Sequence, residues 1–140
     1  MEIDNVNHPQ HYIEGFACRP VECIDITRGL PFCMGNAFKY VWRAGKKGDA
    51  AKAKEDLDKA RWYLRDVDES EDHHLCTAQV AAIRASRRIF ELIVPDKSAR
   101  YGALKAILEG DSYDAFRFID EMEYAFTLND LKGAQQNERA

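Results

Sequence analysis

Long apolar runs, paired cysteines, phosphate-binding glycine loops and an excess of positive charge are all missing from this sequence. No run of about 18 apolar residues occurs, which excludes a membrane-crossing helix. The start, Met1-Glu2-Ile3-Asp4, has neither the basic n-region nor the apolar core of a signal peptide, so the expected location is the cytoplasm. Cys18, Cys23, Cys33 and Cys76 form no CxxC pair and sit in segments that read as helix or helix flank. They are expected to be reduced thiols filling small apolar spaces, ahead of a disulfide or a zinc site. The run His73-His74-Leu75-Cys76 is the best metal candidate, yet no second half stands at zinc spacing. A net charge of −4 argues against a general nucleic-acid coat protein, which needs a broad positive surface, and leaves room for a local basic patch. Neither GxxxxGK(S/T) nor GxGxxG occurs, so any phosphate chemistry must use a scaffold other than the P-loop.

What is present is a folded composition, 46% hydrophobic and 31% charged over 140 residues, enough for one core and too short for two large domains. The pattern predicts an all-α bundle of about six helices. Residues 1–19 read as irregular, with Pro20 in the first turn of a helix that reaches Arg28. A second helix runs from Cys33 to Ala44 and a third, capped by Asp49, to about Asp66. The acidic stretch Asp66 to Asp72 reads as a solvated linker and the seam between two halves. Ala82, Ile83, Ser86, Ile89, Phe90 and Ile93 mark a fourth helix that ends before Pro95, on which Arg84, Arg87 and Arg88 form a solvated face. A fifth helix spans Ala99 to Glu109. A sixth follows a cap at Asp111 or Ser112 and buries Ala115, Phe118, Ile119, Met122 and Phe126. The tail from Gly133 is expected to fray, and no strand is expected. The implied division is 1–68 for ligand binding, 69–132 as a helical extension for assembly or as a lid, and 133–140 as a tail.

On the second helix Asn36, Lys39, Tyr40 and Arg43 stand at i, i+3, i+4 and i+7, on one face, with Phe38, Val41 and Trp42 turned to the core. An ordinary solvated stripe is the alternative, but this face carries two cations and no acid. Arg43 leads into Ala44-Gly45-Lys46-Lys47-Gly48, where two glycines let backbone approach a ligand and the next helix offers its N-terminus to anions. Arg grips two phosphate oxygens at once and Lys supplies a mobile point charge, so the segment describes a phosphate cradle. The third helix adds Glu55, Lys59 and Trp62 on one face, with Asp56 and Tyr63 beside it and Ala53, Leu57, Ala60 and Leu64 opposite. Glu22 and Asp25 share a face of the first helix, so that up to four carboxylates converge if Glu55 and Asp56 join them. His8, His11 and Tyr12 are placed to fold over the site, with an aromatic ring to stack on a base.

The strings Val6-Asn7-His8-Pro9-Gln10-His11-Tyr12, Val21-Glu22-Cys23-Ile24-Asp25, Gly35-Asn36-Ala37-Phe38-Lys39-Tyr40-Val41-Trp42-Arg43-Ala44-Gly45-Lys46-Lys47 and Glu55-Asp56-Leu57-Asp58-Lys59-Ala60, with Tyr63, resemble a family of bacteriophage proteins. That family has long been known as a domain of unknown function and includes a P-loop-free phage nucleotide kinase. The resemblance covers about residues 6–65 and leaves 70–140 unexplained. It implies transfer of a phosphoryl group from a nucleoside triphosphate to a deoxynucleoside monophosphate by a homo-oligomer in the host cytoplasm. Carried over by position, the site would comprise His8, His11, Tyr12, Glu22, Asn36, Lys39, Tyr40, Arg43, Lys46, Lys47, Glu55, Asp56 and Lys59.

The helices also look like those of the all-α MazG-type nucleotide pyrophosphohydrolases, which bind magnesium through a Glu-rich first helix and an EExxD pattern on a later one. Laid on that pattern, Glu55-Asp56-Leu57-Asp58-Lys59 puts a cation where a metal ligand would be. The expected roles are then Lys39, Arg43, Lys59 and Glu55 at the reacting phosphoryl group, and His8, His11, Tyr12, Asn36, Tyr40, Lys46, Lys47 and Trp62 in nucleotide binding. Glu22, Asp25 and Asp56 are the ligands if magnesium takes part. A MazG-like hydrolase and a non-catalytic nucleotide-sequestering protein that acts on host metabolism or defence are the competing readings. Nucleoside mono- and triphosphates are the expected partners; a membrane and general nucleic-acid binding are not.

Overall fold

The computed structural model describes residues 13–14, 20–69 and 75–139, and among them the chain is six helices with one minimal two-stranded ladder. The ladder pairs β1 (Ile13–Glu14) with β2 (Val21–Glu22) antiparallel, Ile13 opposite Glu22 and Glu14 opposite Val21. This corrects the helix expected from Pro20. Val21 is extended and buried, and the helix α1 (Cys23–Thr27) starts only after Glu22. The Glu22 N–H donates to the Asp25 carboxylate at 2.9 Å, one arm of a capping box that fixes the helix start there.

Helices α2 (Phe32–Arg43) and α3 (Ala50–Glu69) form an antiparallel hairpin, as their cross-contacts show: Arg43 meets Asp56, Tyr40 meets Tyr63, and Cys33 meets Asp66. Asp49 caps α3 as expected, its carboxylate accepting the Lys52 N–H at 2.9 Å. Past Asp66 the helix runs on to Glu69, so the expected linker is helical as far as it is described, and residues 70–72 lie outside the described residues. Helix α4 (Thr77–Phe90) packs on α1, where the buried Ser86 hydroxyl donates to the Ile26 carbonyl at 2.6 Å. It stops at Phe90, short of Pro95; Leu92 and Ile93 then turn back on the carbonyls of Ile89 and Phe90.

Helix α5 (Ala99–Glu109) has the expected bounds. Ser98 caps its start, accepting the Tyr101 N–H at 3.1 Å, and Gly110 closes it with φ 73°. Helix α6 begins at Ser112 and continues through Gly133 to Arg139, which corrects the frayed tail. One glycine costs about 1 kcal/mol in a helix, and the alanine, glutamines, glutamate and arginine around it are among the better helix formers. Residues from both sides of position 68 enter one apolar cluster: Phe38, Val41, Trp42, Leu57 and Ala60 pack with Leu104, Ile107, Ala115, Ile119 and Met122. Arg61 of α3 ties down α6 at the rim of this core through Asp120 and Glu123, each at 2.8 Å. No helix among the described residues is long and apolar enough to cross a membrane.

Candidate functional site

The helical register puts Phe38, Val41 and Trp42 of α2 in the core, so Asn36, Lys39, Tyr40 and Arg43 face outward together, as the spacing predicted. Tyr40 is the centre of this face. The Lys39 Nζ stands 4.4 Å from its ring centroid, the Arg43 guanidinium 5.0 Å and the Lys59 Nζ 5.5 Å. A phenol ring accepts cations on its negative face and so holds three positive groups near one another without neutralising them. Tyr63 of α3 lies parallel to Tyr40 at 5.9 Å, with Phe32 edge-on to Tyr63 at 6.0 Å and Trp62 edge-on at 5.0 Å. Phe32 is 75% exposed and Trp62 60%, so the aromatic ladder opens to solvent at both ends.

Two hollows flank the ladder. One of about 230 Å³ is lined by Thr27, Leu30, Phe32, Asn36 and Lys39. The other, a shallow one of about 450 Å³, is lined by Lys54, Glu55, Asp58, Lys59 and Trp62. Asn36 donates its amide to the Phe32 carbonyl at 2.9 Å, which steadies the side chain at the edge of the first hollow.

The two carboxylates of α3 beside this face, Glu55 and Asp56, are bound to cations. Asp56 is fully buried and takes Arg43 bidentately, at 3.3 and 2.5 Å, with Lys52 at 3.6 Å. Glu55 lies between Lys59 at 2.6 Å and Lys52 at 3.3 Å. These two bonds, that from Lys59 first, hold its carboxyl below the ordinary value, and the Glu55 bond raises Lys59. Glu22 and Asp25 are engaged in the cap of α1. The four carboxylates therefore do not converge, and among the described residues no group of three or more His, Cys, Asp or Glu side chains stands where it could hold a metal ion. A magnesium site built on Glu22, Asp25 and Asp56 does not fit this donor set. The position read as a displaced ligand, Lys59, is the partner of Glu55.

Beyond Arg43 the chain turns through Gly45 and Gly48, both at positive φ (81° and 87°), so the loop takes a left-handed course that glycine allows without strain. Lys46 lies over the Trp42 ring at 5.0 Å, and burial, then the Arg100 charge, pull its ammonium down to about 8. Lys47 is exposed. His8, His11 and Tyr12, and with them Cys18, His73 and His74, lie outside the described residues. Cys23, Cys33 and Cys76 are free thiols; Cys23 is buried as expected, whereas Cys33 is half-buried and bonds Asp66, and Cys76 is exposed rather than filling an apolar space. Burial raises Cys23 to about 12, and the bond to Asp66 raises Cys33 to about 11, so neither is a ready thiolate.

The sequence pattern missed Lys52, Phe32 and Arg100. Arg100 carried a usable signal, a cation in the first turn of α5 where the helix dipole disfavours it. Its guanidinium is satisfied across the molecule by the carbonyls of Val41, Trp42 and Ala44 at 2.6–2.8 Å. Arg87, read as part of a solvated face, caps the end of α5 through the Leu108 carbonyl at 2.6 Å.

Residues 6–65 match the model of a family described as a protein of unknown function, DUF3310. The Gene 1.7 protein of Enterobacteria phage T3 is 38% identical over 65 residues, which make up 42% of this chain and 39% of that protein. The chain thus matches well under half the length of that curated relative. The likeness supports a phage origin. No solved structure matches. The whole face from Phe32 to Tyr63 falls inside the matched residues, and Arg100 falls outside them.

Proposed function

We propose that this face binds nucleotides by their phosphates, and that the protein transfers a phosphoryl group from a nucleoside triphosphate to a deoxynucleoside monophosphate without a P-loop. The observation that carries the reading is the set of three cations, Lys39, Arg43 and Lys59, gathered round one half-buried phenol, that of Tyr40, beside an aromatic ladder. Among the described residues, Lys39, Arg43, Lys52 and Lys59 stand with two carboxylates, Glu55 and Asp56, and that balance favours an anionic ligand. Phosphate oxygens suit these cations, and Phe32 or Trp62 offers a flat apolar surface for a base.

Phosphoryl transfer asks mainly for positioning and for positive charge around the equatorial oxygens of the moving group. Lys39 borders one hollow and Lys59 the other, while both approach Tyr40; a donor and an acceptor occupying the two hollows would bring their phosphates to the same cations. Lys59, oriented by Glu55, balances charge at the transferring group, and Asn36 or Tyr40 orients the acceptor. Glu55 is ionised and tied to two lysines, so it serves as their anchor; a phosphate acceptor is already an anion and needs no base. The hydrolase reading is the weaker one because the carboxylates it would need for magnesium are bound to Arg43, Lys52 and Lys59.

The test is incubation of the purified protein with labelled deoxynucleoside monophosphates and nucleoside triphosphates, with and without magnesium, followed by chromatography of the products. Diphosphate formation is the expected result. Pyrophosphate release would establish the hydrolase instead, and binding without turnover a sequestering protein.

A further inference from the structure

The end of α2 leaves a set of carbonyls whose hydrogen bonds can be followed one by one. The Tyr40 carbonyl accepts the Ala44 N–H at 3.0 Å and the Arg43 carbonyl accepts the Lys46 N–H at 2.8 Å. The carbonyls of Val41 and Trp42 lie at a helix end, where no further turn supplies a donor. One guanidinium nitrogen of Arg100 donates to both at 2.8 Å, and the other donates to Ala44 at 2.6 Å. A cation on a helix C-terminus also meets the negative end of its dipole. Beside Arg100, the Phe126 ring of α6 lies so close that a Cβ on Gly45 would come within 2.5 Å of it, with Arg100 at 3.6 Å. The Gly45–Gly48 loop thus starts against two side chains of the C-terminal half, both outside the residues that match the family model.

We propose that the C-terminal half of this chain serves the phosphate site by clamping that loop, with Arg100 as a positioning residue for Lys46 and Lys47 and Phe126 as a second contact at Gly45. The proposal rests on the reading of the loop as part of a phosphate site. Arg100 does not itself touch the phosphate: its donors are spent on the three carbonyls. It fixes where α2 ends and the direction in which the loop leaves, and it places a second positive charge behind Lys46. That charge is offset by helix-end carbonyl dipoles and, more distantly, by Asp96. Lys46 accordingly stands against the Trp42 ring with Arg100 as a like-charged neighbour.

The experiment uses the full chain and the variants Arg100→Gln, Arg100→Lys and Phe126→Leu. Amide hydrogen exchange without ligand is read for residues 44–48 against the core helices, together with pyrophosphate binding by calorimetry and the NMR titration of the Lys46 side chain. Arg100→Gln is expected to speed exchange in the loop by at least about tenfold while α3 and α6 stay protected, and to weaken pyrophosphate about tenfold. It should also raise the Lys46 titration point; Arg100→Lys, which keeps the charge, should leave that point low while restoring loop protection only in part. A variant that fails to fold is replaced by Phe126→Leu, which loosens the loop at its Gly45 contact and keeps every charge. Loop exchange unchanged in both Arg100→Gln and Phe126→Leu overturns the clamp. So does a loosened loop with undiminished pyrophosphate affinity. If the parent binds neither pyrophosphate nor nucleotide, the proposed function fails, and the ligand-free exchange and the Lys46 titration still decide whether Arg100 sets the loop.

Discussion

Replacing Arg43 with alanine removes a guanidinium that lies both on the phosphate face and in the seam of the α2–α3 hairpin. Its partner Asp56 is fully buried, and the Arg43 side chain is 15% exposed. Removing one member of a buried ion pair strands the other, a loss of about 3–5 kcal/mol. Here Lys52 remains 3.6 Å from the stranded carboxylate, which places the expected loss near the lower end, about 3 kcal/mol. In urea, with a slope of about 1–3 kcal/mol per molar, that moves the unfolding midpoint down by roughly 1–3 M at unchanged slope. Tryptophan fluorescence is a suitable probe because Trp42 is buried in the shared core. Arg43→Lys keeps the charge and loses the bidentate fork, so it should fall between the two. Asp56→Asn removes the charge while keeping the volume, leaving Arg43 without its carboxylate; it should lose stability yet keep or improve phosphate affinity. A loss below about 1 kcal/mol for Arg43→Ala would refute the reasoning, since that is what a solvent-screened surface pair contributes. The hairpin would then be held by packing alone.

Lys39 has no acidic partner among the described residues, so Lys39→Ala should weaken nucleotide binding about tenfold while stability changes by less than about 0.5 kcal/mol; unchanged binding would remove the phosphate face from the account. Lys46 has a folded value of about 8 against an ordinary 10.5, so between these values the unfolded chain binds the extra proton and stability should rise with pH. Phosphate affinity due to that ammonium should fall above about 8; the pH dependence of the urea midpoint, compared with Lys46→Met, checks the first, and a flat difference across the window would contradict it. Gly45→Ala places a methyl against the Phe126 ring at positive φ and should cost more than about 1 kcal/mol by the same assay. Ser86→Ala leaves the buried Ile26 carbonyl without that hydroxyl donor, a loss of about 1–3 kcal/mol, and a neutral result would mean that α1 and α4 separate easily.

The sequence by itself determined the helices and their faces, because period and caps are local physics. Asp49, Ser98 and Gly110 mark helix ends through bonds to their own neighbours, and the 3.6-residue repeat alone turns Lys39, Tyr40 and Arg43 away from Phe38 and Trp42. It also supplied the basic loop after Arg43. Where a local signal had two outcomes, the pattern erred: Pro20 can open a helix or precede a strand, and Gly133 can end a helix or be carried through one. Tertiary structure decided the pairings. Asp56 and Arg43 are 13 residues apart, and only the hairpin turns a possible metal carboxylate into the buried partner of a guanidinium. Arg100 is further still from the carbonyls it satisfies, 56 to 59 residues along the chain, and no spacing rule links an arginine in one helix to the end of another. The charges of the site were readable one residue at a time. Which of them cancel, and which remain for a phosphate, depended on how α2, α3 and α5 pack.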